Sequence, residues 1–311
     1  MTVGLMLLVA ACLAPAVQAQ EASGPSPGPV TSWSPTEALD LMRQLGIPLA
    51  DGDVPVHYSA AFESRGRELG TDLAAAVDYY EDHLGVRLPI VLAVLDEEDW
   101  PRVTTIPYGF PHPFMGTPNV VFLGATPENP AAMDMRRRHT FASEADHEKV
   151  RRAGLSWDEA SGRFLDLVGY HELGHIYADA LGIESHRRWF AEMLATYIGY
   201  AFMKSERPEQ ALVWEGVIAS LPASPRPDHS SLADFERLYV NVGIPNYQWY
   251  QGIFHVRVEE VYEAQGIDFV HRVREALPAG ASGELSTPDL LERLERIQPG
   301  FHAWAERFGL H

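Results

Sequence analysis

The sequence predicts an α+β protein with a mixed sheet in its N-terminal half, a long central helix, and a mostly helical C-terminal half. Three observations carry this. Every strand-like run falls before residue 126, a helical period occupies residues 61–84 between two of them, and from about Trp157 helical patterning continues to the end.

Taken in order, SPTEALDLMRQLG (34–46) reads as a short helix with a Ser34 or Thr36 cap and a stop at Gly46. VPVHYSA (54–60) alternates apolar and polar residues as a strand does. LPIVLAVLD (88–96) is a continuous apolar run that suits a buried strand, and NVVFLGA (119–125) is another strand. The latter is also a candidate edge to which an extended peptide adds. Residues 101–118 are dense in proline and glycine and read as a loop, of which PYGFPHPFMG (107–116) is a lid candidate by composition. Residues 128–155 are polar and charged, either a helix or a surface insertion. Near the end, STPDLLERLERIQ (286–298) has the spacing of an amphipathic helix that packs on the core.

With 311 residues, 46% of them hydrophobic, the chain can bury a sizeable core, read here as one domain over 36–311. A formal net charge of -19, from 24 basic and 43 acidic residues, repels phosphate backbones and argues against a nucleic-acid partner. The first twenty residues carry no charged side chain, and the apolar run Leu5 to Val17 is short for a bilayer span. It ends in small residues at the positions of a signal-peptidase site, so residues 1–19 read as an export signal and the product as periplasmic or extracellular. A rival reading takes LVAAC as a bacterial lipobox, with a lipid anchor at Cys12 as the one route to a membrane. Cys12 is the sole cysteine, so neither reading leaves an intramolecular disulfide. Residues 20–35, rich in Pro, Gly and Ser, form a flexible linker.

The central segment RFLDLVGYHELGHIYADALG fits a helix from about Asp158 to Leu181, ended by Gly182. Phe164, Val168, His171 and His175 fall on one stripe, at steps of four, three and four. Two imidazoles one turn apart on one face can share a metal ion. Glu172, rotated about 100° from His171, stays out of direct ligation but within reach of a metal-bound water. A third ligand is offered by Glu192 in RRWFAEMLATYIGYAF, a carboxylate whose neighbours Trp189, Phe190, Met193 and Leu194 are apolar. Such a group is costly to bury unless something compensates it, and a metal does.

HELGH followed by WFAEMLATY resembles the gluzincin metallopeptidases, thermolysin-like and aminopeptidase-like zinc enzymes with peptidase MA-type catalytic domains. The resemblance covers residues 169–200 and implies a zincin-like fold and a peptide or protein substrate. It further implies one catalytic Zn2+ held by His171, His175 and Glu192, with Glu172 as general base. Trp189, Ala195 and Tyr197 match the same signature, whereas Met193 stands where many relatives have glycine. The Gly-x-Met-Glu-Asn stretch of the aminopeptidase branch is not found. Relatives stabilise the oxyanion with a tyrosine or histidine from a downstream helix, and NYQWYQGIFHVRVEEVYEAQG (246–266) supplies Tyr250, then Tyr247, with His255 behind. Both tyrosines read equally well as packing residues at a helix start. Asp179, one turn beyond His175, is a candidate hydrogen-bond partner for a ligand histidine or a plain surface charge. The remaining histidines, His112 among them, read as surface or packing residues. The alternative function is a catalytically silent zincin-fold binding protein of the cell envelope.

Overall fold

A computed structural model describes residues 34–223, 227–280 and 283–310. The export-signal and lipid-anchor readings, and all but the last two residues of the linker, lie outside the described residues.

Helix α1 (Pro35–Gln44) opens on a reciprocal cap, in which Glu37 N–H donates to Ser34 Oγ at 3.2 Å and Ser34 N–H to Glu37 Oε2 at 2.7 Å. Strands β1 (Leu49–Ala50) and β2 (Val56–Tyr58) follow. The strand expected over 54–60 is cut short because Ala60–Phe62 tighten into a 3-10 turn that leads into α2 (Glu63–Leu84). Next come β3 (Ile90–Leu95), α3 (Trp100–Val103), β4 (His112–Phe114) and β5 (Asn119–Gly124). They form one mixed sheet in the order β1-β2-β3-β5-β4, parallel across β2, β3 and β5 and antiparallel at both ends.

The unbroken apolar run of β3 has a physical reason: both faces of the sheet are covered. Leu92 and Val94 of β3, with Val121 and Leu123 of β5, join the main core with α2 and the C-terminal helices. Ala93, Leu95, Val120 and Phe122 point the other way, onto Ala38 and Met42 of α1 and Trp100 of α3.

Two sequence expectations need correction. The 119–125 strand is not an edge, because β5 pairs with β3 on one side and β4 on the other. The proline-rich stretch read as a loop supplies that edge itself. β4 is three residues long and contains Pro113, which a sheet accepts at its border where an N–H is not required. The region 128–155, left open as helix or insertion, is two helices, α4 (Pro130–Arg137) and α5 (Glu144–Arg152).

Helix α6 (Trp157–Ala180) is the long central helix, one residue out of register with the expected bounds. Ser156 and Glu159 cap its start reciprocally, and Gly182 with φ +66° turns the chain out of its end. The helical half continues through α7 (Arg188–Glu206), α8 (Pro208–Ile218), α9 (Leu232–Leu238) and α10 (Ile244–Gln265). It closes with α11 (Asp268–Ala276), α12 (Thr287–Ile297) and α13 (Phe301–Phe308). α12 is the amphipathic helix expected over 286–298, and it buries Leu290, Leu291 and Leu294 in the core. No described helix is long and apolar enough to cross a membrane.

Candidate metal centre

Helices α6 and α7 meet backbone to backbone because glycines face the contact from both sides. A Cβ on Gly174 would stand 2.2 Å from the Ala195 carbonyl oxygen, and one on Gly199 would stand 2.8 Å from the Tyr170 carbonyl oxygen. That approach sets His171 and His175 of α6 against Glu192 and Thr196, one turn apart on α7. Nε2 of His175 lies 3.1 Å from Nε2 of His171, and both face Glu192 Oε2, at 3.8 and 3.4 Å. His171, His175 and Glu192 each offer one ligand atom, all within 4.8 Å of one another, and so form a group able to hold one metal ion.

The surroundings fix two of the three donors. His171 Nδ1 and Thr196 Oγ1 share a hydrogen bond at 3.0 Å. In the tautomer that donates Nδ1–H to Thr196, the Nε2 lone pair faces Glu192. Glu192 is only 2% exposed, and its carboxylate accepts three hydrogen bonds from outside α7. Tyr239 O–H donates to Oε1 at 2.5 Å, while Tyr247 O–H and Gln251 Nε2–H both donate to Oε2 at 2.9 Å. These donors offset the desolvation that a lone carboxylate would suffer there.

Electrostatics divide the two glutamates. Burial pushes the Glu172 carboxyl up to about 8, helped by the Glu192 charge and opposed by His171. Burial acts upward on Glu192 too, but its hydrogen bond to His171 and the charges of both histidines outweigh it and hold the carboxyl well below the usual range. His171 moves up, because the hydrogen bond and charge of Glu192 overcome its burial. His175 is pushed down to about 4, chiefly by burial. One carboxylate is thus fixed as an anion between imidazoles, and its neighbour is left able to gain or lose a proton near neutrality.

The group opens into a cleft of about 230 Å³. Glu172, Tyr239 and Tyr247 line it beside the three donors, and Ile106, Phe114, Met115, Ile183 and Leu194 form apolar wall. Pro111 to Met115, from the lid candidate, belong to that wall, with 112–114 held in the sheet as β4.

Of the sequence candidates, His171, Glu172, His175, Glu192 and Tyr247 come together here. Tyr250 does not. Its ring packs on Phe235 of α9 at 4.8 Å, and its hydroxyl donates to the Ser231 carbonyl at 2.6 Å, where α9 begins. His255 lies in the core, its Nδ1 accepting from Trp214 Nε1–H at 3.3 Å. Asp179 lines the cleft as an exposed residue and, among the described residues, bonds neither histidine; Thr196 fills that place. Thr196 carries a readable signal, four residues after Glu192 on the same face. Gln251 and Tyr239 carry none, since long-range packing brings them in. Tyr239 holds a left-handed backbone, φ +46°, which a non-glycine residue adopts at a cost of roughly 1–3 kcal/mol.

No protein-family model matches the chain, and no curated protein or solved structure matches it. What the site offers is therefore read from its own atoms: two imidazoles and a carboxylate converging on one point, a second carboxyl of raised affinity for protons, and two phenols.

Proposed function

We propose that this protein is a zinc-dependent peptidase of the gluzincin kind, built on a zincin-like domain. His171, His175 and Glu192 hold one zinc ion, and Glu172 is the general base. One observation carries the reading. Ligand atoms about 2.0–2.1 Å from a tetrahedral ion stand about 3.3 Å from one another. The three donor pairs here stand 3.1, 3.4 and 3.8 Å apart. Two imidazoles and one carboxylate, with the remaining side toward a cleft, are the donor set of catalytic rather than structural zinc.

When bound, zinc polarises the scissile carbonyl and lowers the pKa of a water toward ~7. Glu172 takes a proton from the attacking water as its oxygen adds to the carbonyl carbon. The same carboxyl returns that proton to the amine nitrogen as the C–N bond breaks. Glu172 is buried beside the ligands, and positive charge at the three ligands draws its carboxyl toward the ionised form that accepts the proton. Tyr247 and Tyr239 each present a hydroxyl already bonded to Glu192. Turned toward the cleft, either O–H donates to the developing oxyanion. Tyr247 keeps the role expected of it, Tyr239 joins it, and Tyr250 has no path to the cleft.

The test is to incubate the purified protein and its Glu172→Gln variant with a complex peptide mixture and to read every new terminus by mass spectrometry. Wild type should cut, and the variant should lose about 10²–10⁴-fold in rate, the usual contribution of a general base. If both bind zinc and neither cuts, the hydrolase reading gives way to a silent binding protein.

A further inference from the structure

We infer that Arg188 is a carboxylate-binding residue of the cleft, so that the favoured peptides present a carboxylate close to the scissile bond. This deepens the peptidase reading and rests on it. Arg188 opens α7 one turn before Glu192, which puts both on one face of the helix. Its guanidinium carbon sits 5.1 Å from the centroid of the Tyr239 ring, whose hydroxyl donates to Glu192. Stacking on a ring engages the face of a guanidinium and leaves the N–H fork at its edge for a planar anion. Tyr239 thus touches both Arg188 and the ligand carboxylate.

Arg188 is the one lysine or arginine among the described residues lining the cleft. It has no carboxylate partner among the described residues, although the chain carries 43 acidic residues against 24 basic ones. Its neighbours differ. In the adjoining depression, which Arg188 also lines beside Glu184, Glu236 and Glu284, Arg187 pairs with Glu284 at 3.0 Å and Arg237 with Asp234 at 2.7 Å. Where acids are in such excess, a half-buried guanidinium left unpaired at the mouth of an apolar-walled cleft is suited to receive an anion from outside. A bidentate carboxylate matches that fork best. The cleft volume, about 230 Å³, lies just below the roughly 300–1,000 Å³ of drug-sized ligand sites and fits a short segment of peptide. The carboxylate is either a free C-terminus or an acidic side chain, and the experiment separates them.

Zinc-loaded Glu172→Gln protein is titrated calorimetrically with three probes. These are N-acetyl-Phe-Leu as the free acid, its C-terminal amide, and N-acetyl-Phe-Glu amide. We expect the free acid to bind about ten-fold tighter than its amide. Arg188→Gln should remove that difference with zinc content and thermal midpoint unchanged, and Arg188→Lys should retain part of it. Preference for the Phe-Glu amide over the Phe-Leu amide, lost in Arg188→Gln, assigns the carboxylate to a side chain and supports the same site. Equal binding of all three probes overturns the role of Arg188 and leaves the peptide-binding reading in place. An acid preference that survives Arg188→Gln overturns it too, because the carboxylate is then held elsewhere. No binding of any probe overturns both.

Discussion

The imidazole of His171 is held from behind by a residue that faces away from the cleft. Thr196 Oγ1 lies 3.0 Å from its Nδ1, and this hydrogen bond orients the ring so that Nε2 faces Glu192. Thr196→Val keeps the shape and removes this hydrogen bond. Zinc affinity, measured by competition with a chelator, should fall about 10–100-fold, as for other partners of ligand histidines; unchanged affinity would deny Thr196 its orienting role. At this scale the sequence was legible where chemistry obeys helical spacing. His171, Glu172 and His175 sit on one helix, and Glu192 stood out as a carboxylate among apolar neighbours. Spacing could not rank Tyr247 against Tyr250. The choice depends on the Ser231 carbonyl, which captures the Tyr250 hydroxyl at the start of a different helix, while Phe235 packs on both rings. Tyr239 was invisible for the same reason, and its strained backbone cannot be read from residue type.

Two helices crossing at glycines bring the ligands together. Gly174→Ala forces a methyl into the Ala195 backbone, where a Cβ would meet the carbonyl oxygen at 2.2 Å. Overpacking of this kind costs about 1–3 kcal/mol, more than the roughly 1 kcal/mol alanine gains over glycine in a helix. Gly169→Ala, in the same helix, is the control, because its Cβ would meet side-chain carbons, those of Leu123 at 3.4 Å and Leu73 at 3.6 Å, and no backbone. Gly174→Ala should lower the thermal midpoint and weaken zinc binding, while Gly169→Ala leaves both near wild type. Equal behaviour of the two variants would mean that the close crossing is not what positions the site. The long helices α6 and α7 were legible because many residues repeat one period. β4 and α3 were not, since three and four residues are too few to show one. Missing β4 is also what made β5 look like an edge.

Across the whole molecule, buried neutral histidines make folding sensitive to acid. His112 stacks on Phe122 in the sheet, and burial pushes it down to about 4; His255 is pushed down to about 3 for the same reason. Their folded values lie below the unfolded value near 6.5, so protons bind the unfolded chain first. Their contribution is therefore intact above pH ~6.5 and is lost as the pH falls toward 4. For His112 the loss is at most ~3 kcal/mol. Urea unfolding at pH 7 and pH 4.5 should show a smaller drop in stability for His112→Phe than for wild type, and an identical drop would refute the assignment. The division into a sheet-bearing first half and a helical second half was legible in hydrophobic periodicity alone. How the cleft closes was not, because β4, α6, α7, α10 and the turn at Tyr239 meet there through contacts far apart in sequence. The central claim, that this fold gathers His171, His175 and Glu192 around one zinc ion, is tested most directly by metal content after dialysis against a trace of zinc. One equivalent is predicted for wild type and for Glu172→Gln, and almost none for Glu192→Ala or His175→Ala variants that remain folded. Equal zinc in all four proteins, or none in wild type, would contradict it.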